Sequence, residues 1–410
     1  MKKRILYIQP NAGIGGSFQS LFVLLQMLDR SKYTPTVLFP SKNQIVIDML
    51  SQINVDTVVH HFPSMGNSFN LKYKLLIGHF LNNMFKKFPF KSSAFVYPGF
   101  LSICYGMLIV FDFIRFYLKK ASVINKIPGL SVDLVHINSL VGLFGYYYAK
   151  KHGYPVVWHI REQLPKISSS FLRNFYSDIF IDPCIKHLIC ISENEARPFT
   201  NAKIKIIYNF YKLDQQPVPA GKQIRFLAMG SLTEDKGFRL LVNAVRHLAK
   251  TYSHEDFKVN IMGFNSKKRM PDEKNHEFFL KQIYSLNIQK YFKRLEPTPH
   301  VPPSFFSNFH VLIRPSLNND PWGRDIIEAM STGRPVIATG YYDKFVKNEV
   351  NGFLIKTHDH LSLSNTMKKF IDNKELIHQF SQNSFQLASK LFNPSQNTKQ
   401  IENLYDRIVR

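Results

Sequence analysis

Short apolar runs alternate with stretches of helical periodicity along most of the chain. The runs include Ile5-Leu6-Tyr7-Ile8, Thr36-Val37-Leu38-Phe39 and Val156-Val157-Trp158, then residues 55–59, 132–136, 188–191 and 204–208. They continue at residues 224–229, 259–262 and 292–295, and in the stretch 310–340. Each has the length of a buried strand, and Pro, Gly or polar residues bound it. Helical spacing fills the gaps at 45–50, 143–151, 238–250, 277–286, 361–371, 375–390 and 396–409. Strand, helix, strand in this order predicts parallel α/β sheets.

The pattern is clearest over residues 310–340. Val311, Leu312 and Ile313 form a strand that Pro315 stops. Asp320 and Pro321 are expected to open a helix, the carboxylate as cap and the proline at the first helical position. Ile326, Ile327 and Met330 share one face, Gly333 closes the helix, and residues 336–339 form the next strand. Ligands of such sheets sit beyond the carboxyl ends of strands, near helix N-termini. Asn318, Asn319, Asp320, Arg324, Asp325 and Glu328 fall in that location.

Three further stretches carry candidate chemistry. Strand one ends in Asn11-Ala12-Gly13-Ile14-Gly15-Gly16-Ser17, where glycines either admit a ligand to the backbone or serve a tight turn of positive φ. No complete G-x-G-x-x-G is present and no acidic residue stands about twenty positions on, which disfavours a dinucleotide site. The strand at 155–158 runs into His159-Ile160-Arg161-Glu162, and alternation sends His159 and Arg161 to one face. A histidine at a strand end serves structure more often than chemistry. The strand at 224–229 runs into Gly230-Ser231-Leu232-Thr233-Glu234-Asp235-Lys236-Gly237. There Gly230 permits a tight turn, and Lys236 sits near a helix N-terminus suited to phosphate; taken alone it is an exposed lysine.

The stretch 310–340 resembles the retaining family-4 glycosyltransferases of the GT-B fold, whose acidic pair is written E-P-F-G-x-x-x-x-E-A-M-x-x-G-x-P-V-I-A-T. Here it reads Asp320-Pro321-Trp322-Gly323, Glu328-Ala329-Met330 and Gly333-Arg334-Pro335-Val336-Ile337-Ala338-Thr339, with Asp in place of the first Glu. Gly230 to Gly237 is similar to the family's G-R-L-x-x-x-K-G, with Ser231 replacing its arginine. The resemblance implies an α/β fold of two Rossmann-like domains facing across a cleft, with a C-terminal helix returning to the first domain. The linker composition of residues 214–221 puts the boundaries at 1–215 and 216–395, with 396–410 as the returning helix.

Composition changes the picture in one respect. The 410 residues carry 53 Lys and Arg against 29 Asp and Glu, a formal net charge of +24. Such a balance calls for a polyanionic partner. Nucleic acid is not expected, because no recognised binding motif accompanies the charge. Residues 1–120 hold 14 Lys and Arg against 4 Asp and Glu, and residues 67–128 are also aromatic. That segment reads as a core helix pair, as an interfacial amphipathic segment on an anionic membrane, or as a true span. Residues 92–111 are uncharged but interrupted by Pro98, Gly99 and Gly106. Charge asymmetry favours membrane contact. Cys104, Cys184 and Cys190 show no metal spacing and read as reduced cytoplasmic thiols. The opening Met1-Lys2-Lys3-Arg4 precedes too short an apolar run for a signal peptide.

From the resemblance follow an activity and its residues. The chain is expected to be a retaining, metal-independent hexosyl- or other glycosyltransferase acting on a nucleotide-sugar, a UDP-sugar ahead of a GDP-sugar. No cofactor is expected. Glu328 would accept the ribose hydroxyls and Asp320 hydroxyls of the donor sugar. Gly323, Arg324 and Asp325 would hold the leaving diphosphate through backbone amides, with Lys236, Gly230 and Ser231 beside them. Arg324 either adds positive charge there or pairs with Glu328 one turn on. Gly15 and Gly16 would face donor phosphate and acceptor. His159 would stand near the sugar, with Arg161 and Glu162 as cleft neighbours. A lipid-linked or saccharide acceptor in bacterial surface polysaccharide synthesis (O-antigen, capsule or exopolysaccharide) fits a cytoplasmic protein held peripherally at the inner face of the membrane. A GT-B sugar-nucleotide epimerase and a catalytically silent membrane-binding subunit are the alternatives.

Overall fold

The computed structural model describes the chain except residues 65–113, 115, 121, 128, 165–168, 201, 231, 233, 264–269, 297, 299–300, 319, 321 and 410. Ser231 and residues 92–111 thus lie outside the described residues, as does most of the basic aromatic segment. Two compact units form, Met1–Tyr208 with Ser395–Arg410, and Asn209–Pro394.

In the first unit the chain runs β1 (Lys3–Ile8), α1 (Gly16–Met27), β2 (Tyr33–Phe39), α2 (Gln44–Ser51) and β3 (Asp56–Val59). It resumes with β4 (Leu134–Asn138), α3 (Leu143–His152), β5 (Val156–Ile160), α4 (Ser169–Phe180), β6 (Ile185–Cys190), α5 (Glu193–Ala196) and β7 (Ile204–Ile206). The seven strands lie parallel in the order β3-β2-β1-β4-β5-β6-β7. Every residue of β4 and β5 is buried, as a parallel strand covered on both faces must be, and the apolar residues of these strands are interrupted by buried His136, Asn138 and His159.

The second unit contains β8 (Ile224–Met229), α6 (Phe238–Leu248), β9 (Phe257–Met262), α7 (Met270–Ser285) and β10 (Phe292–Leu295). After these come β11 (Val311–Arg314), α8 (Arg324–Ser331), β12 (Val336–Thr339), β13 (Gly352–Ile355), α9 (His360–Asp372) and α10 (Glu375–Leu391). Its six parallel strands are ordered β10-β9-β8-β11-β12-β13. Phe226, Val259, Ile313 and Ile337 lie at the centre of its core.

Both sheets reverse their winding once, between β1 and β4 and between β8 and β11. At such a reversal the two flanking loops leave in opposite directions and open a crevice at the carboxyl ends. The loops after β1, β8 and β11 hold candidate residues there, and His159, Arg161 and Glu162 lie at the end of β5, the strand next to β4.

The last helix, α11 (Pro394–Ile408), packs on the first sheet. Ile401, Leu404 and Tyr405 are buried. Tyr33 donates to Asp406 Oδ1 at 2.7 Å, Lys3 Nζ reaches the same carboxylate at 3.0 Å, and the Asp29 amide donates to Glu402 Oε1 at 2.9 Å. Among the described residues no helix is long and apolar enough to cross a membrane.

Candidate functional site

The loop after β11 begins with a residue that sequence reasoning passed over. Arg314, the last residue of β11, is 13% exposed and grips the loop with three groups. Its Nη2 donates to Asp320 Oδ2 at 2.7 Å, its Nε to the Asp320 carbonyl at 3.0 Å, and its Nη1 to Asp325 Oδ1 at 2.6 Å. The two carboxylates hold the guanidinium pKa above its ordinary value despite its burial. Asp320 Oδ1 and Asp325 Oδ2 are left without a hydrogen-bond partner among the described residues.

This arrangement corrects the expected helix start. Helix α8 begins at Arg324, not at Asp320-Pro321, and Gly323 occupies the cap position with extended backbone and no side-chain cap. Asp320 does not cap because Arg314 holds its carboxylate. The C-terminal end is as expected: Gly333 follows α8 in the left-handed region at φ 75°.

Glu328 lies one turn into α8 and is buried. Arg324 Nε sits 2.7 Å from its Oε1, so the i to i+4 pair weighed from the sequence forms. The Arg324 guanidinium also lies over the ring of buried Tyr211, 5.9 Å from its centre. Burial pushes the Glu328 carboxyl up to about 7; Arg324 opposes the shift and nearby Asp325 adds to it. A group so placed changes charge near neutral pH.

The loop after β8 is bound to this one. Lys236 ends a short 3-10 turn, Glu234–Lys236, and pairs with Asp235 at 3.3 Å. The Asp235 carbonyl accepts from the Leu317 amide at 2.8 Å and from Ser316 Oγ at 3.2 Å, and its carboxylate from Asn318 Nδ2 at 3.3 Å. Gly237, at φ 69°, is where the loops touch: a Cβ there would stand 1.7 Å from the Pro315 carbonyl oxygen. Gly230 turns the chain at φ 126°. The structure thus brings Gly230, Lys236, Gly323, Arg324, Asp325, Asp320 and Glu328 into one region at the reversal of the second sheet.

In the first unit, Gly15 occupies the cap position of α1 at φ −94°, and nothing lies within 4 Å of a Cβ built on Gly15 or Gly16. Neither these glycines nor Gly13 has positive φ, which removes the tight-turn explanation. Behind the loop runs a buried polar chain. Gln9 Oε1 accepts from Asn138 Nδ2 at 2.6 Å, Asn138 Oδ1 from Arg161 Nε at 2.6 Å, and Arg161 Nη2 lies 3.3 Å from His159 Nδ1. His136 Nδ1 meets the Tyr405 hydroxyl at 2.6 Å, and Tyr405 meets Tyr7 at 3.2 Å. A guanidinium only donates, so His159 Nδ1 accepts and its proton sits on Nε2. Burial first, then Arg161 and His136, holds the His159 pKa well below its ordinary value. His159 is therefore a neutral imidazole whose Nε2–H has no partner among the described residues. Glu162 turns away to accept from Ser139 Oγ at 2.8 Å and the Leu140 amide at 2.9 Å, fixing the loop after β4. Asn138 and Tyr405 carried no readable signal in the sequence.

Residues 210–387 match the family described as Glycosyl transferases group 1. No curated protein matches the chain in sequence. Among solved structures, Anabaena HepE in complex with UDP is similar at TM-score 0.72 and 17% identity, over 99% of this chain and 100% of that one. HepE with UDP-glucose gives TM-score 0.72 at 16% identity, over 98% and 99%. The sucrose-phosphate synthase of Thermosynechococcus elongatus gives 0.70 at 14%, over 99% of both. Likeness at this identity concerns architecture: the chain has the GT-B fold.

Proposed function

We propose that this protein is a glycosyltransferase that moves a sugar from a nucleotide-sugar to an acceptor, with retention of configuration and without a metal ion. One observation carries the reading. Asp320 and Glu328 stand together at the reversal of the second sheet, beside the N-terminus of α8, within the segment that matches Glycosyl transferases group 1. Glu328, once ionised, offers two acceptor oxygens to the paired hydroxyls of a ribose. The first amides of α8, with Arg324 and Lys236, supply positive potential where charge gathers on a departing diphosphate. The HepE complexes with UDP and UDP-glucose favour a UDP-sugar as donor.

The acceptor reading rests on the first unit. The open N-terminus of α1 at Gly15 and Gly16 and the unpartnered Nε2–H of His159 suit an acceptor and its hydroxyls. Ile114, Tyr117 and Leu118 stand exposed beside Lys119, a combination that suits an anionic membrane and a lipid-linked acceptor at its inner face. Synthesis of a bacterial surface polysaccharide is the setting this supports.

The test is thermal denaturation of wild type and Glu328→Ala with UDP, GDP, ADP and their sugars. A ligand that binds the folded state raises the melting temperature by mass action. Stabilisation by one nucleotide series, lost in the variant, is expected, together with release of the nucleoside diphosphate and transfer of its sugar only when an acceptor is present. Interconversion of the donor without acceptor would mean an epimerase; the absence of any shift would leave the silent-subunit reading.

A further inference from the structure

The geometry points to Arg314 as the positioning residue that fixes Asp320 so that its unpartnered oxygen, Oδ1, is held for the hydroxyls of the donor sugar. The inference rests on the reading of this loop as the donor site. An aspartate is one methylene shorter than a glutamate and, on a loop, has no helix to orient it. Arg314 supplies what is missing. Its planar fork takes both the side-chain Oδ2 and the backbone carbonyl of Asp320, which fixes the loop and the carboxylate together. The fork's other arm reaches Asp325 in the first turn of α8, so Asp320 is registered against the helix N-terminus proposed for the diphosphate. With Oδ2 taken by Arg314, Oδ1 is the Asp320 oxygen that has no partner among the described residues.

Gly323 gives independent support. A Cβ there would lie 2.2 Å from Arg314 Nη1, 2.3 Å from its Cζ and 2.5 Å from Asp325 Oδ1. The backbone φ of −64° would suit any residue, so what excludes a side chain at Gly323 is the guanidinium together with the Asp325 carboxylate it holds. The glycine keeps open the space that the fork fills.

Two variants disturb the fork while leaving every charge in place. Arg314→Lys keeps the charge but loses the planar fork. Gly323→Ala drives a methyl group into the guanidinium. Calorimetric titration of each with UDP and with UDP-glucose separates sugar recognition from nucleotide recognition. In each variant the affinity for UDP-glucose is expected to fall at least about tenfold further than the affinity for UDP, the loss of one charge-assisted hydrogen bond to the sugar beyond any effect on the nucleotide. In an Asp320→Ala background, Arg314→Lys is expected to add less than about threefold, because the residue it positions is gone. Equal loss of UDP and UDP-glucose, or an undiminished cost in the Asp320→Ala background, would overturn the assignment while leaving the donor site intact. Wild type that binds neither ligand would overturn the donor-site reading and Arg314's role with it. If Arg314→Lys does not fold, Gly323→Ala decides on the same criteria.

Discussion

Glu328 couples charge to folding with a definite sign. Its carboxyl ordinarily titrates near 4.5 and is pushed up to about 7 in the folded chain, first by burial. Between those values the folded state holds a proton that the unfolded state has released. Stability from this group is therefore present at low pH and falls as pH rises from about 4.5 to about 7, by up to about 3 kcal/mol. Glu328→Gln removes the titration. Chemical denaturation of the two proteins at pH 5 and pH 8 is expected to show the variant gaining on wild type as pH rises. Ligand affinity is expected to run the other way. Ribose hydroxyls donate, so nucleotide binding to wild type strengthens from pH 6 to pH 8, with a slope that Glu328→Gln lacks; parallel slopes would separate Glu328 from the ligand. This residue was readable from its spacing to Asp320. Arg314 was not, because an arginine ending a strand before Pro315 looks the same whether it faces solvent or two carboxylates.

At the scale of elements, the site is two loops fastened together. The carbonyl of Asp235 holds the loop after β11, and Gly237 lets the two backbones meet. Gly237→Ala would place a methyl group 1.7 Å from a carbonyl oxygen and hold it at φ 69°. Urea denaturation is expected to show a loss of roughly 2–4 kcal/mol, the range of steric and backbone strain combined. Nucleotide binding should weaken with it; a change below about 0.5 kcal/mol would mean the loops part freely. The strands were legible because burial on both faces leaves a plain apolar run, as in Val311-Leu312-Ile313. The start of α8 was not, since an Asp-Pro step caps a helix only when no closer cation claims the carboxylate. Here Arg314, six residues earlier, claims it.

For the molecule as a whole, periodicity and the acidic pair made the GT-B architecture legible. The buried chain from Gln9 through Asn138 and Arg161 to His159 was not, because its members come from three strands and gain meaning only in register, as Asn138 beside His159. The net charge of +24 belongs to this scale too. Sedimentation with anionic vesicles is expected to bind the protein at low salt and release it as salt rises, since screening shortens the reach of each lysine. Lys119→Glu with Lys120→Glu should weaken binding by about 1 kcal/mol or more per residue. Vesicles of neutral lipid that bind equally well would point to apolar insertion instead.

The position of α11 also bears on how the protein is made. The first unit is completed by a helix that the ribosome delivers only after the whole of the second unit. At ordinary rates of translation that is a wait of roughly 10–40 s, during which β1, β2 and β4 lack Tyr405 and Asp406. The second unit, contiguous in sequence, has no such wait and can close first. The order of folding then inverts the order of synthesis, and the part made first stays accessible to chaperones and proteases longest.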